Sequence, residues 1–248
     1  MSKNICILVG HGKSASGGYD SGAVSGGYHE FRIAREIARH AADYLGCDLM
    51  NYNGDLYLTD RIKKVNKSNY DFIAEIHLNA AGGTGTEVYY YHDSPTGLKA
   101  STEICKNISE ALSVGNRGPK VRLGKNGKDY FAVIRQTKPC AVLVETVFID
   151  NPNDLNKIKT AEGQKKCGVA IGKAIKKALA VQKNGFDVTV ICRSLYIRKG
   201  AGTKYRTNGT VKKNDVLSIT ETDSASSWGK LADGRGWISL NGKYIRRF

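Results

Sequence analysis

The chain is predicted to adopt an α/β fold with its site at the carboxyl ends of the strands, followed by a small all-β module. Three apolar runs that each lead to a metal-ligand or acid/base residue carry the first half of that prediction. Ile5-Cys6-Ile7-Leu8-Val9 runs through Gly10 to His11, Phe72-Ile73-Ala74-Glu75-Ile76 ends on His77, and Ala141-Val142-Leu143-Val144 ends on Glu145. Such runs read as buried strands, and open α/β sheets bind ligands beyond the carboxyl ends of their strands. The second half rests on a change of pattern near Gln182-Lys183-Asn184-Gly185, after which only short alternating runs broken by turn residues remain.

Taken in order, the first strand delivers His11 between two glycines, so the imidazole is presented with little bulk around it. A glycine-rich loop follows (Gly17, Gly18, Gly22, Gly26, Gly27), and Tyr28 to Leu45 then repeats apolar residues at helical spacing and stops at Gly46, a C-cap signal. Glu30 falls in the first turn of that helix, facing back toward His11. A second helix is expected from about Leu56 to Asn69, basic on its exposed side, and leads into the strand that ends on His77. Thr86 to His92 reads as a further strand and Thr96 to Ser113 as a helix. Val114 to Lys128, dominated by glycine, lysine and arginine, is expected to be a basic, mobile loop near the substrate groove. After the strand Ala141 to Glu145, Asn151-Pro152-Asn153-Asp154 forms a turn that caps one long helix from about Leu155 to Val181. Beyond it, strands are expected at Val188-Val190, Leu195-Arg198, Val216-Ile219 and Trp237-Ser239.

The 248 residues suffice for a domain of ordinary size plus a small module, and the apolar content excludes a disordered chain. A formal net charge of +15 predicts an anionic partner. The basic residues are dispersed, with no recognition helix or stacking motif, so nucleic acid is not expected. No apolar stretch is long enough to span a membrane. The six cysteines show no CxxC spacing and are expected to be reduced, as in a cytosolic protein. Met1-Ser2-Lys3-Asn4 leads straight into a short apolar run without the pattern of a signal peptide, so the chain is expected to be made in the cytoplasm.

His11, Glu30 and His77 together offer two imidazoles and one carboxylate, a three-ligand set for a single zinc ion that leaves one coordination position open. Such an ion acidifies a bound water and polarises a carbonyl. Glu145 then suits a general base that takes the proton of the water and returns it to the leaving amine. No HExxH motif is present. Each residue also has a structural reading: a strand-end histidine can be a hydrogen-bonded surface residue, as expected for His29, His40 and His92, and Glu30 would complement the helix dipole. Glu145, closing a fully apolar run, must be paired, protonated or functional. Glu75 is either a partner of the site or a surface residue.

Val9-Gly10-His11-Gly12, Asp20-Ser21-Gly22-Ala23, Glu30, Ile76-His77-Leu78-Asn79-Ala80 and Glu145-Thr146-Val147-Phe148-Ile149-Asp150-Asn151 resemble the zinc-dependent N-acetylmuramoyl-L-alanine amidases of bacterial autolysins and phage endolysins. The resemblance covers about residues 4–180. It implies a mostly parallel central sheet flanked by helices, zinc held by His11, Glu30 and His77, and Glu145 as catalytic acid/base. The implied reaction hydrolyses the amide between N-acetylmuramic acid and the L-alanine of the stem peptide. Lys13, the longer step to Asp20 and Val147 depart from the family pattern without touching a proposed ligand.

Leu195-Tyr196-Ile197-Arg198-Lys199-Gly200-Ala201-Gly202-Thr203, with Gly236-Trp237-Ile238, resembles a bacterial SH3-like domain, which implies a small barrel that binds peptidoglycan. The predicted organisation is a catalytic domain over 1–181, a linker over 182–186 and the SH3-like domain over 187–248. Tyr196, Tyr205, Trp228 and Trp237 are candidates for its ligand groove, with Trp237 also suited to the core. Twelve basic and five acidic residues in this segment fit docking on an anionic wall polymer. The expected role is that of a phage endolysin reaching the wall through a holin-type pore. A bacterial autolysin, a zinc carboxypeptidase acting on stem peptides and a non-enzymatic wall-binding protein with a vestigial site are the competing readings.

Overall fold

A computed structural model describes residues 4–179, 186–223 and 227–247. The chain divides into two compact units, Met1–Leu179 and Ala180–Phe248. Residues 182–185 of the expected linker lie outside the described residues, and Phe186 already opens a strand.

In the first unit β1 (Ile5–Val9) is followed by two short ladders, β2 (Gly12–Lys13) with β3 (Tyr19–Asp20) and β4 (Val24–Ser25) with β5 (Tyr28–His29), where a glycine-rich loop was expected. Helix α1 (Glu30–Leu45) starts two residues later than its periodicity suggests and ends on Gly46 in the left-handed region (φ 62°), as a C-cap glycine should. Next come β6 (Asp48–Met50), too short to be legible, α2 (Leu58–Lys67) and β7 (Phe72–Asn79). They are followed by β8 (Thr86–Tyr90), α3 (Pro95–Leu112), β9 (Asn116–Lys120), α4 (Ala132–Gln136) and β10 (Cys140–Phe148). The long helix expected from Leu155 is two helices, α5 (Pro152–Ile158) and α6 (Ala161–Leu179). The side chain of Asn151 caps α5 by accepting from the amides of Asn153 and Asp154.

The sheet runs β6-β1-β7-β10-β8-β9. Its first four strands are parallel, and β8 pairs antiparallel with β10 while β9 lies parallel to β8. The basic segment after Val114 is therefore partly an edge strand and not wholly a mobile loop. Alternation along β1 decides the layers. Ile7 and Val9 join the large core under α1, α3 and α6, and Cys6 and Leu8 join a smaller one with Val65, Val133, Ile134 and Leu143. By the same period of two, Glu75 and His77 of β7, Glu87 of β8 and Glu145 of β10 share the face of that smaller core. Among the described residues, α2 and α4 pack over that face through Val65, Val133 and Ile134.

Cys6, Cys105 and Cys167 are buried, in keeping with their apolar settings. No helix among the described residues is long and apolar enough to cross a membrane.

The second unit is one antiparallel sheet built from β11 (Phe186–Val190), β12 (Ser194–Arg198), β13 (Thr207–Lys212), β14 (Val216–Asp223), β15 (Trp228–Leu231), β16 (Trp237–Ser239) and β17 (Ile245–Arg247), around a core that includes Val188, Ile197, Ile219 and Ile238. Tyr196 and Tyr205 are exposed, and Trp237 is half-buried with the Lys230 ammonium over its ring. Trp228 is buried, which removes it from the expected ligand groove.

Candidate metal centre

Two turns bring the first imidazole into place. Gly10 lets the chain leave β1 against the His77 ring, which a Cβ at that position would overlap. His11 itself takes a positive φ of 61°, uncommon for a residue with a side chain. It is held there by Asn51 and Arg61, both of which donate to its carbonyl. Gly22 (φ 64°) is a second obligatory glycine, since a Cβ there would stand 2.6 Å from Glu30 Oε2.

The structure brings His11, Glu30 and His77 together, with a ligand atom of each within 4.8 Å of the others. His11 Nε2 lies 3.1 Å, and His77 Nδ1 2.9 Å, from the same oxygen, Glu30 Oε1. The Leu78 amide donates to that oxygen as well, and the Ala23 amide donates to Oε2. Each imidazole meets a further carboxylate through its other nitrogen: His11 Nδ1 is 2.9 Å from Asp20 Oδ2, and His77 Nε2 is 3.2 Å from Glu75 Oε2. Glu75 accepts in turn from the buried Arg61 guanidinium at 3.0 Å. Glu75 thus belongs to the centre and not to the surface. Outer carboxylates of this kind orient an imidazole and raise its basicity toward a cation.

The electrostatics follow from these contacts. Burial pushes the Glu30 carboxyl up, but bonds from both imidazoles outweigh it and hold the group well below the usual carboxylate range. Burial pulls the His77 imidazole down, and its bonds to Glu30 and Glu75 overcome that and raise it well above its ordinary value. His11 is raised by the same balance, with Glu30 as the main opposing influence. Glu75, pushed up by burial, is brought to about 2 by His77 and Arg61.

Glu145 is not at a strand end as expected, since β10 continues to Phe148; β7 likewise runs two residues past His77. The register places Glu145 directly beside His77 on one side and Glu87 on the other. Burial pushes the Glu145 carboxyl up to about 7, and Oε2 is sealed from solvent without a hydrogen-bond partner among the described residues. The cleft these groups floor encloses about 410 Å³, with Leu58, Phe131 and Val133 on its apolar side. His40 and His92 bond elsewhere, to Arg39 and Asp129, and His29 precedes α1. Sequence reasoning missed Asp20 and Arg61 as parts of the centre. Asp20 was visible only inside a motif, and nothing in the sequence joins Arg61 of α2 to Glu75 of β7.

A carboxylate between two imidazoles, with a second acid of near-neutral pKa beside it at the edge of an α/β sheet, defines a hydrolase centre with a candidate metal site. The family model of N-acetylmuramoyl-L-alanine amidase matches residues 5–177, and the chain belongs to that family of hydrolases. It is 35% identical over 167 residues to the sporulation-specific N-acetylmuramoyl-L-alanine amidase of Bacillus subtilis, covering 63% of this chain and 60% of that protein. It is 32% identical over 170 residues to the endolysin of Bacillus phage SPP1, covering 64% of this chain and 59% of that protein. Among solved structures, Cwp6 from Clostridium difficile superposes with a TM-score of 0.65 at 35% identity, covering 72% of this chain and 30% of that one. The chain thus spans about 60% of the length of those two curated relatives.

Proposed function

We propose that the first unit hydrolyses the amide between N-acetylmuramic acid and the L-alanine of the peptidoglycan stem peptide, with one zinc ion held by His11, Glu30 and His77. The observation that carries this reading is the convergence of both imidazoles on Glu30 Oε1 beside the sealed, unpartnered Oε2 of Glu145. The donor set fits zinc: two nitrogens and one carboxylate oxygen, each imidazole backed by a further carboxylate. When bound, zinc supplies a Lewis acid that polarises the scissile carbonyl and acidifies water.

The remaining chemistry belongs to the protein's own side chains. Glu145, paired directly beside His77, accepts the proton of the attacking water and hands it to the amine nitrogen as the C–N bond breaks. Asp20 and Glu75 keep both rings aimed inward, and Arg61 neutralises Glu75 and ties α2 to the backbone of His11. The apolar wall of Leu58, Phe131 and Val133 limits water on one side of the reacting amide.

The second unit is proposed as an SH3-like wall-binding domain, with exposed Tyr196 and Tyr205 and the half-buried Trp237 as its contact residues. The proposed setting is a phage endolysin; an autolysin would perform the same chemistry. Mass spectrometry of purified peptidoglycan digested by the chain, beside elemental analysis of the protein, tests the assignment. Free muramic acid lactyl groups and new N-terminal alanine, with about one zinc per chain, are expected. Fragments shortened at the carboxyl end of the stem peptide would replace the amidase by a carboxypeptidase.

A further inference from the structure

Apart from Glu145, the acidic groups that line the cleft are committed to partners. Asp20 is bonded to His11 and to the Gly22 amide, Glu30 to both imidazoles, and Glu75 to His77 and Arg61. Of the two lysine or arginine side chains lining the cleft, Arg61 is buried and held by Glu75. The other, Lys13, is half-buried and makes no ion pair or hydrogen bond among the described residues. It is not on a free loop. Its backbone pairs with Tyr19 in the ladder that also pairs Gly12 with Asp20, the residue that orients His11. The backbone of this lysine is therefore fixed to the same small element that positions the candidate metal centre, and Leu58, Phe131 and Val133 line the same cleft.

We infer that Lys13 is a specificity residue that takes a free carboxylate on the peptide portion of the substrate, so that stem peptides with an acidic residue left unamidated are preferred. This rests on the amidase reading above and adds to it the chemical class of stem peptide. An ammonium and apolar side chains in the same cleft as Glu145 offer a peptide two different kinds of contact. A carboxylate meeting Lys13 gains a charge-assisted bond that its carboxamide does not. The pair sits at a half-exposed rim, so its contribution is that of one such bond and falls as salt is added.

Two soluble muramoyl peptides test this, one with a free carboxylate on the acidic second residue and one with that group carboxamidated. The parent chain is expected to show kcat/KM about tenfold higher for the free acid, and Lys13→Met to bring the two to parity through KM while Lys13→Arg keeps the preference. Equal kcat/KM for the two substrates in the parent, or an unchanged ratio in Lys13→Met, overturns the inference. Calorimetric binding of the same peptides to Glu145→Gln, with and without Lys13→Met, reads the contact without turnover. If neither peptide is cleaved by the parent, the amidase reading fails, and this binding arm still decides: tighter binding of the acid that depends on Lys13 supports the contact, and equal or absent binding overturns it.

Discussion

Replacing Glu145 by glutamine should abolish most turnover and yet stabilise the metal-free fold at alkaline pH. The carboxyl is pushed by burial to about 7, against 4.5 for an ordinary glutamate. A folded-state value above the unfolded one means that the folded chain holds the proton longer, so stability falls as pH rises from 4.5 through 7. At about 1.4 kcal/mol per tenfold, keeping the carboxylate charged inside the fold costs about 3 kcal/mol above that range. Below it the cost vanishes. A glutamine amide in the same unpartnered setting gives back about 1 kcal/mol, which leaves a net gain of about 2 kcal/mol. For a unit of this size that is about 4–8 °C in melting temperature. The assay is thermal unfolding of chelated parent and Glu145→Gln, followed by circular dichroism at about pH 5 and about pH 8, where most of the difference should build up. A variant that melts no higher than the parent at the alkaline pH, or a gap of the same size at both, would refute the claim that burial holds the carboxyl near neutrality. The same protein should lose about 100-fold or more in peptidoglycan hydrolysis.

His77→Ala should lower the zinc content of purified protein, and full occupancy by elemental analysis would take His77 out of the ligand set. Gly10→Ala should push the His77 ring from its place, because the new methyl overlaps it. The expected cost is about 1–3 kcal/mol of stability together with reduced zinc; normal zinc content and activity would show that the close approach is not required. Arg61→Met leaves Glu75 buried beside a single imidazole and should cost about 3–5 kcal/mol, read as a lowered denaturation midpoint. A midpoint equal to the parent's would mean that the ion pair does not stabilise the fold.

The four candidate residues could be picked out because strands advertise themselves locally. A run such as Ile5 to Val9 is apolar on both faces, so a histidine just beyond it stands out, and the same logic exposed Glu145. Glu30 was legible from its place in the first turn of an amphipathic helix, and Gly46 and Asn151 announced helix ends through backbone geometry that few residues satisfy. What depends on pairing between distant segments was not legible. The reversal of β8 and β9, the adjacency of Glu145 to His77 and the salt bridge from Arg61 to Glu75 are settled by which strand edges and helix faces meet. Strand neighbours are chosen by long-range packing, and no window of sequence contains both partners. Composition and periodicity determined the residue types at the carboxyl edge of the sheet. Tertiary structure alone decided that two imidazoles share one oxygen of Glu30, because only folding brings atoms from the turn after β1, from α1 and from β7 within 4.8 Å of one another.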